Sequence, residues 1–152
     1  MRIINIDNGY RSPCDTVVAL GNFDGFHRGH QAVVGEAIDW AKSEGRPAIV
    51  ATFDPHPKRF FQPEAPSFRL TTLDQRQDLF AAAGADAMLV IDFDASVAAM
   101  SAQQWVEGFL AGHCHAAGVV TGEDFTFGKG RSGTPQALRE LGAPLGVGAR
   151  AV

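Results

Sequence analysis

The sequence predicts an α/β fold, a Rossmann-like parallel sheet with helices on both faces. Two patterns carry this expectation. Short apolar, β-branched runs alternate with longer segments whose apolar residues recur at helical spacing, and Gly, Pro and Ser/Thr residues stand at the junctions between them. Strands and helices alternating in this way imply βαβ units with right-handed crossovers. The chain has 152 residues, 45% hydrophobic and 20% charged, enough for the core of one domain covering 1–152.

The elements follow in order. Thr16-Val-Val-Ala-Leu, ended by Gly21, reads as a strand buried on both faces. After Gly29 the period changes: Val33, Val34, Ala37, Ile38 and Ala41 form one helical face, which stops at Gly45 before Pro47. Ala48-Ile-Val-Ala-Thr-Phe is a second strand running into Asp54-Pro-His-Pro, where the prolines forbid helix. Thr72 and Gln75 make a capping box for a helix that carries Leu73, Leu79, Phe80 and Ala83 and ends at Gly84. A third strand is expected over 87–93. Ser101 and Gln104 cap another helix, with Trp105, Val106, Phe109 and Leu110 as its core stripe. Residues 118–122 read as a fourth strand. Thr134 before Pro135 starts a last helix ending at Gly142, and 145–152 read as the start of a fifth strand.

Composition narrows the partners. Thirteen Lys+Arg against 17 Asp+Glu give a formal charge of -4, no basic footprint for a phosphate backbone, so nucleic acid is not an expected partner. No apolar run approaches the roughly 20 residues that span a bilayer, and the first residues turn polar quickly, so neither export nor a membrane is expected. Cys14 and Cys114 read as reduced thiols, and the expected compartment is the cytoplasm.

Ligands of such sheets bind beyond the carboxyl ends of the strands, and the most unusual stretches lie there. Gly21-Asn-Phe-Asp-Gly-Phe-His-Arg-Gly-His30 joins the first strand to the first helix. Its glycines let the backbone turn tightly and approach a ligand, and the helix opening there directs free N–H groups and the positive end of its dipole at an anion. His27 and His30, three apart, share a face and can each donate to phosphate oxygens. They are not expected to hold a metal, because no third ligand stands at a natural spacing. In the loop after the second strand Pro55 and Pro57 stiffen a wall, and Phe61 and Phe127 offer faces for a planar ring, core packing being the alternative for Phe125 and Phe127. Asp124 could accept a hydrogen bond from a heteroaromatic N–H, and Lys129 and Arg131 either reach phosphate oxygens or form a solvated turn. His113-Cys114-His115 is a decoy, since adjacent residues point in different directions.

The Gly21–His30 string resembles the His-x-Gly-His motif of the nucleotidylyltransferase superfamily, and its Phe-Asp-Gly-x-His form resembles the bacterial FAD synthetases in particular. Thr52-Phe-Asp-Pro-His-Pro57 is similar to that family's loop after the second strand, with Asp54 where Glu is common. Gly122-Glu-Asp-Phe-Thr-Phe-Gly-Lys-Gly-Arg-Ser-Gly133 is similar to its flavin-binding loop. Phe68-Arg-Leu-Thr-Thr and the Phe-Asp ending of the third strand fit as well.

The resemblance implies FMN adenylyltransferase activity, FMN and ATP giving FAD and pyrophosphate with Mg²⁺ held through the ATP phosphates. It places Gly21, Asn22, Phe23, Asp24, His27, Gly29 and His30 around ATP, with His27 and His30 catalytic, and Asp54, Pro55, Pro57, Phe61, Asp124, Phe127 and Arg131 at the flavin. It also implies a second phosphate motif, Ser-Ser-Thr-x-Ile-Arg, after the fifth strand. On the resemblance the chain is truncated at its C-terminal end, so that this motif and the riboflavin kinase domain expected in the full-length protein would follow Val152, and the chain without them is expected to be weakly active. The alternatives are a nucleotidylyltransferase for another phosphorylated substrate and a non-catalytic flavin- or nucleotide-binding module.

Overall fold

The structure is a computed structural model that describes residues 2–5, 12, 14–23, 28–53, 72–91 and 95–152. Among these, six strands form one parallel sheet: β1 Arg2–Asn5, β2 Thr16–Leu20, β3 Ala48–Phe53, β4 Ala87–Ile91, β5 Ala116–Thr121 and β6 Gly148–Ala151. Their order across the sheet is β1-β4-β3-β2-β5-β6. Every residue of β2 and β3 is buried, as the unbroken apolar runs require of central strands covered on both sides. Register is tight, with Val17 opposite Ala48 and Leu20 opposite Ala51.

Helices cover both faces. On one, α1 Arg28–Glu44 and α2 Leu73–Ala83 pack Val33, Val34, Ala37, Ile38, Ala41 and Phe80 against Val17, Ala19, Val50 and Met88. On the other, Val18, Leu20, Ile49 and Leu89 meet Trp105, Phe109, Leu110 and Leu138. These come from α4 Ala102–Gln104 with its continuation Trp105–His113 and from α5 Pro135–Gly142. The period of two along β2 thus divides its side chains between two cores.

The capping signals hold. Thr72 accepts from the Gln75 N–H and the Gln75 side chain answers, and Gly84 closes α2 in the left-handed conformation at φ 107°. Ser101 and Gln104 repeat the box, Thr134 caps α5 with Pro135 in its first turn, and Gly45 at φ 66° ends α1.

The structure corrects the sequence expectations at several points. It adds β1, whose four residues are too few to display a period. It also adds α3 Ala95–Ala98, which is too short to show one. The helix after Ser101 is α-helical for only one turn; from Trp105 to His113 it widens to π-type bonding, ending with the Cys114 N–H on the Phe109 carbonyl at 3.1 Å. β5 starts earlier than expected, at Ala116. Gly142 does not terminate the last helical segment: a 3₁₀ turn, Ala143–Leu145, follows, the left-handed stop is Gly146 at φ 75°, and β6 begins only at Gly148. The expected end of the third strand at 92–93 lies outside the described residues.

Candidate functional site

A parallel sheet makes its ligand crevice where successive connections leave a strand in opposite directions. Here that strand is β2. Its neighbour on one side, β3, is reached through α1, and its neighbour on the other, β5, is reached only after the chain has built β3 and β4. The junction after β2 and the loop after β5 therefore flank the same switch point, and both carry the motifs singled out in the sequence.

The junction is described at Gly21, Asn22 and Phe23 and again from Arg28. Gly21 is needed for space: a Cβ there would lie 2.9 Å from the Phe23 ring. Phe23 takes a left-handed backbone at φ 50°, a conformation that costs a side-chain-bearing residue about 1 kcal/mol. Burial of its ring offsets the strain. The ring is 1% exposed and stands edge-on to Phe80 at 5.8 Å and to His30 at 5.5 Å. Expected at ATP, the Phe23 side chain is thus a core residue that sets the turn and touches the histidine. Gly29 and His30 lie in the first turn of α1, Gly29 exposed and His30 half-buried. The Asn22 side-chain oxygen is buried with no hydrogen-bond partner among the described residues, a polar atom suited to a ligand group. Asp24 and His27 lie outside the described residues.

A charged residue that sequence reasoning missed holds this junction. Arg76, on the first turn of α2, is 3% exposed. Its Nη1 donates to Thr52 Oγ1 at 3.0 Å, to the Asn22 carbonyl at 3.3 Å and to the Phe53 carbonyl at 3.4 Å. The Thr52 hydroxyl in turn donates to the Asn22 carbonyl at 2.8 Å. The signal was present in the sequence: Leu73, Arg76 and Phe80 share one helical face, and an arginine on an apolar stripe needs partners.

The loop after β5 is anchored by aromatic packing. Phe127 and Gly133 exchange backbone hydrogen bonds at 3.0 and 2.8 Å. The Phe127 ring, 6% exposed, meets Trp105 at 6.1 Å and stacks on Phe125 at 6.3 Å, and Phe125 also lies over Phe53 at 6.5 Å. Of the two aromatic residues, Phe127 belongs to the core and Phe125 is half-exposed. Gly128 sits against the start of α4, where a Cβ would come 2.9 Å from the Ala102 nitrogen, and the Lys129 N–H donates to the Met100 carbonyl at 2.7 Å. Asp124, Lys129 and Arg131 are exposed, Arg131 with φ 56°. Asp54, Pro55, Pro57 and Phe61 lie outside the described residues. Among the described residues no three His, Cys, Asp or Glu side chains gather to hold a metal ion.

The sequence model of the family described as FAD synthetase matches residues 10–152. The chain belongs to the FAD synthetase family. Its relatives include the bifunctional riboflavin kinase/FMN adenylyltransferase of Escherichia coli K12, 33% identical over 95% of this chain and 45% of that protein. That of Bacillus subtilis is 33% identical over 81% of this chain and 39% of its own length. The chain thus spans less than half the length of these two relatives.

Among solved structures, a Streptococcus pneumoniae protein described as a macrolide-efflux protein matches 100% of this chain and 50% of its own, with TM-score 0.85 and 26% identity. A universal stress protein from Archaeoglobus fulgidus matches with TM-score 0.53 at 14% identity, a likeness of fold alone. The FAD synthetase family uses ATP and FMN, and in this member the described ends of the junction after β2 and the loop after β5 flank one switch point. Among the described residues no helix is long and apolar enough to cross a membrane.

Proposed function

We propose that this chain is an FMN adenylyltransferase domain, transferring AMP from ATP to FMN to give FAD and pyrophosphate. The observation that carries the reading is the switch point itself: the described ends of the junction after β2, with the buried Asn22 side-chain oxygen that suits a ligand group, and the loop after β5 stand on its two sides. Family membership supports the same reading.

The chemistry asks little proton work of the protein. An FMN phosphate oxygen, already anionic at neutral pH, attacks the α-phosphorus of ATP, forming one P–O bond as the bond to the bridging oxygen breaks and pyrophosphate leaves. The domain's task is to align the two phosphates and stabilise the charge that develops. His30 and His27 donate hydrogen bonds to phosphate oxygens, and the positive end of the α1 dipole adds a fixed potential. Mg²⁺ would enter on the triphosphate and neutralise part of its charge. Asn22 meets the nucleotide, and Asp124 and Arg131, with Asp54, Pro55, Pro57 and Phe61, form the flavin side. Phe127 supports that side from the core through Phe125.

The test is FAD formation from FMN, ATP and Mg²⁺, separated by chromatography, with this chain and with a longer one continuing past Val152. Product from either is the expected result. Product only from the longer chain would assign the second phosphate clamp, Ser-Ser-Thr-x-Ile-Arg, to residues after β6. Absence of product from both folded proteins would overturn the reading. In the active form, His30→Ala is expected to lower turnover about tenfold or more, about 1.4 kcal/mol of transition-state stabilisation, with an unchanged circular dichroism spectrum.

A further inference from the structure

We infer that Arg76 is a positioning residue for the nucleotide side of the site, setting the phosphate-binding junction through the Asn22 carbonyl. The inference rests on the reading of that junction as the ATP seat.

The network is directional. Arg76 is fixed at its base by the Thr72–Gln75 capping box, and its own N–H makes the first helical bond of α2, to the Thr72 carbonyl at 3.0 Å. From there its Nη1 reaches the carboxyl ends of the two central strands that carry motif loops, at Asn22 after β2 and at Thr52 and Phe53 at the end of β3. The Asn22 carbonyl receives two donors, the guanidinium and the Thr52 hydroxyl, which together use both of its lone pairs. That fixes the plane of the Asn22–Phe23 peptide immediately before Phe23 turns to φ 50°. The Phe23 ring then lies against His30. A chain of contacts therefore runs from Arg76 through Asn22 and Phe23 to the histidine in the first turn of α1.

The residue type matters. A guanidinium is more weakly hydrated than a lysine ammonium, a compact and strongly hydrated charge, so its Nη1 is buried against these acceptors at lower cost. A purely structural arginine would act on the whole fold. A positioning one acts on the junction and on the ligand it holds.

The experiment compares wild type with Arg76→Met and with Thr52→Val, which removes only the hydroxyl at similar volume. Amide hydrogen exchange on the unliganded chain is read at Asn22, Phe23 and His30 and, as a control, in β4 and β5. Affinities are read separately for a non-hydrolysable ATP analogue and for FMN, and FAD formation is followed in parallel.

The expected result is exchange at the junction faster by about tenfold with β4 and β5 unchanged, ATP-analogue affinity weaker by about tenfold, and FMN affinity weaker by clearly less, about threefold at most, because the bond to the Phe53 carbonyl borders the flavin side as well. Wild-type junction exchange and nucleotide affinity in folded Arg76→Met would overturn the inference, and so would equal losses for both ligands. If Arg76→Met does not fold, Thr52→Val decides the matter by the same readouts. A wild type that binds the analogue but makes no FAD would sink the proposed reaction and leave the role of Arg76 decided by exchange and binding.

Discussion

Cys114 lies at the end of the π-type segment, fully buried, and burial pushes its thiol up from 9.0 to about 12. The thiol therefore stays protonated and unreactive in the folded chain, whereas Cys14 is exposed. Thiol labelling under native conditions is expected to modify Cys14 alone, and labelling in urea to modify both. The raised value also has a consequence for stability. The unfolded chain loses this proton near pH 9 and the folded chain only near 12. Stability should be intact below pH 9 and fall above it by about 1.4 kcal/mol per pH unit until the folded thiol titrates. Urea titrations between pH 8 and 10.5 check this, and Cys114→Val should flatten that part of the slope. At the same scale Phe23 shows how a motif residue can also serve the core. Its spacing within the motif was readable, but the direction of its ring depended on a left-handed φ and on Phe80, a residue distant in sequence.

Two elements tie stability to the site. The capping box of α2 holds Arg76 in place, so Thr72→Ala is expected to cost about 1 kcal/mol in urea denaturation and to weaken nucleotide binding more than flavin binding. The loop after β5 docks on the start of α4 through Gly128, which has φ 77° and backbone atoms of Ala102 at 2.9 Å from any added Cβ. Gly128→Ala must meet both the strained conformation and the clash, and a loss of about 2 kcal/mol is expected, read as a lower thermal midpoint. A wild-type midpoint would mean that the loop is not seated on α4. Helix starts were legible in the sequence because caps are local, as at Thr72, Ser101 and Thr134. The π-type widening from Trp105 to His113 was not legible, because the apolar positions 105, 106, 109 and 110 satisfy an α period equally well. Trp105 at its start packs against Phe53, Phe109 and Phe127, contacts that spacing alone does not show.

The two cores share one set of strands, and this makes a prediction for the whole molecule. The chain has two tryptophans, one for each side of the sheet. Trp105 is buried among the residues of one core, and Trp40 lies across β5 and β6, where Gly118 and Gly148 leave room for its indole and the Arg150 guanidinium covers it at 3.9 Å. Because β2, β3 and β5 contribute alternate side chains to both cores, neither can melt alone. Trp40→Phe and Trp105→Phe, each followed by the fluorescence of the remaining tryptophan, should each report a single transition coincident with loss of helical circular dichroism. Separate fluorescence and circular-dichroism midpoints within one variant would show that the two faces unfold independently.

What the sequence determined by itself is the local part: the strand-helix alternation, the caps, the two-sided burial of β2 and β3, and the motif strings that mark the family. These follow from periods, turn residues and short-range hydrogen bonding, all written within a few neighbouring positions. Only the tertiary structure decided the place of β1 at the sheet edge, the core role of Phe23 and Phe127, and the reach of Arg76 to Asn22 and Thr52. Each depends on contacts between residues far apart in the chain, where strand order rather than spacing fixes who meets whom, and a burial cost such as that of the Arg76 charge is met only by partners brought from other elements.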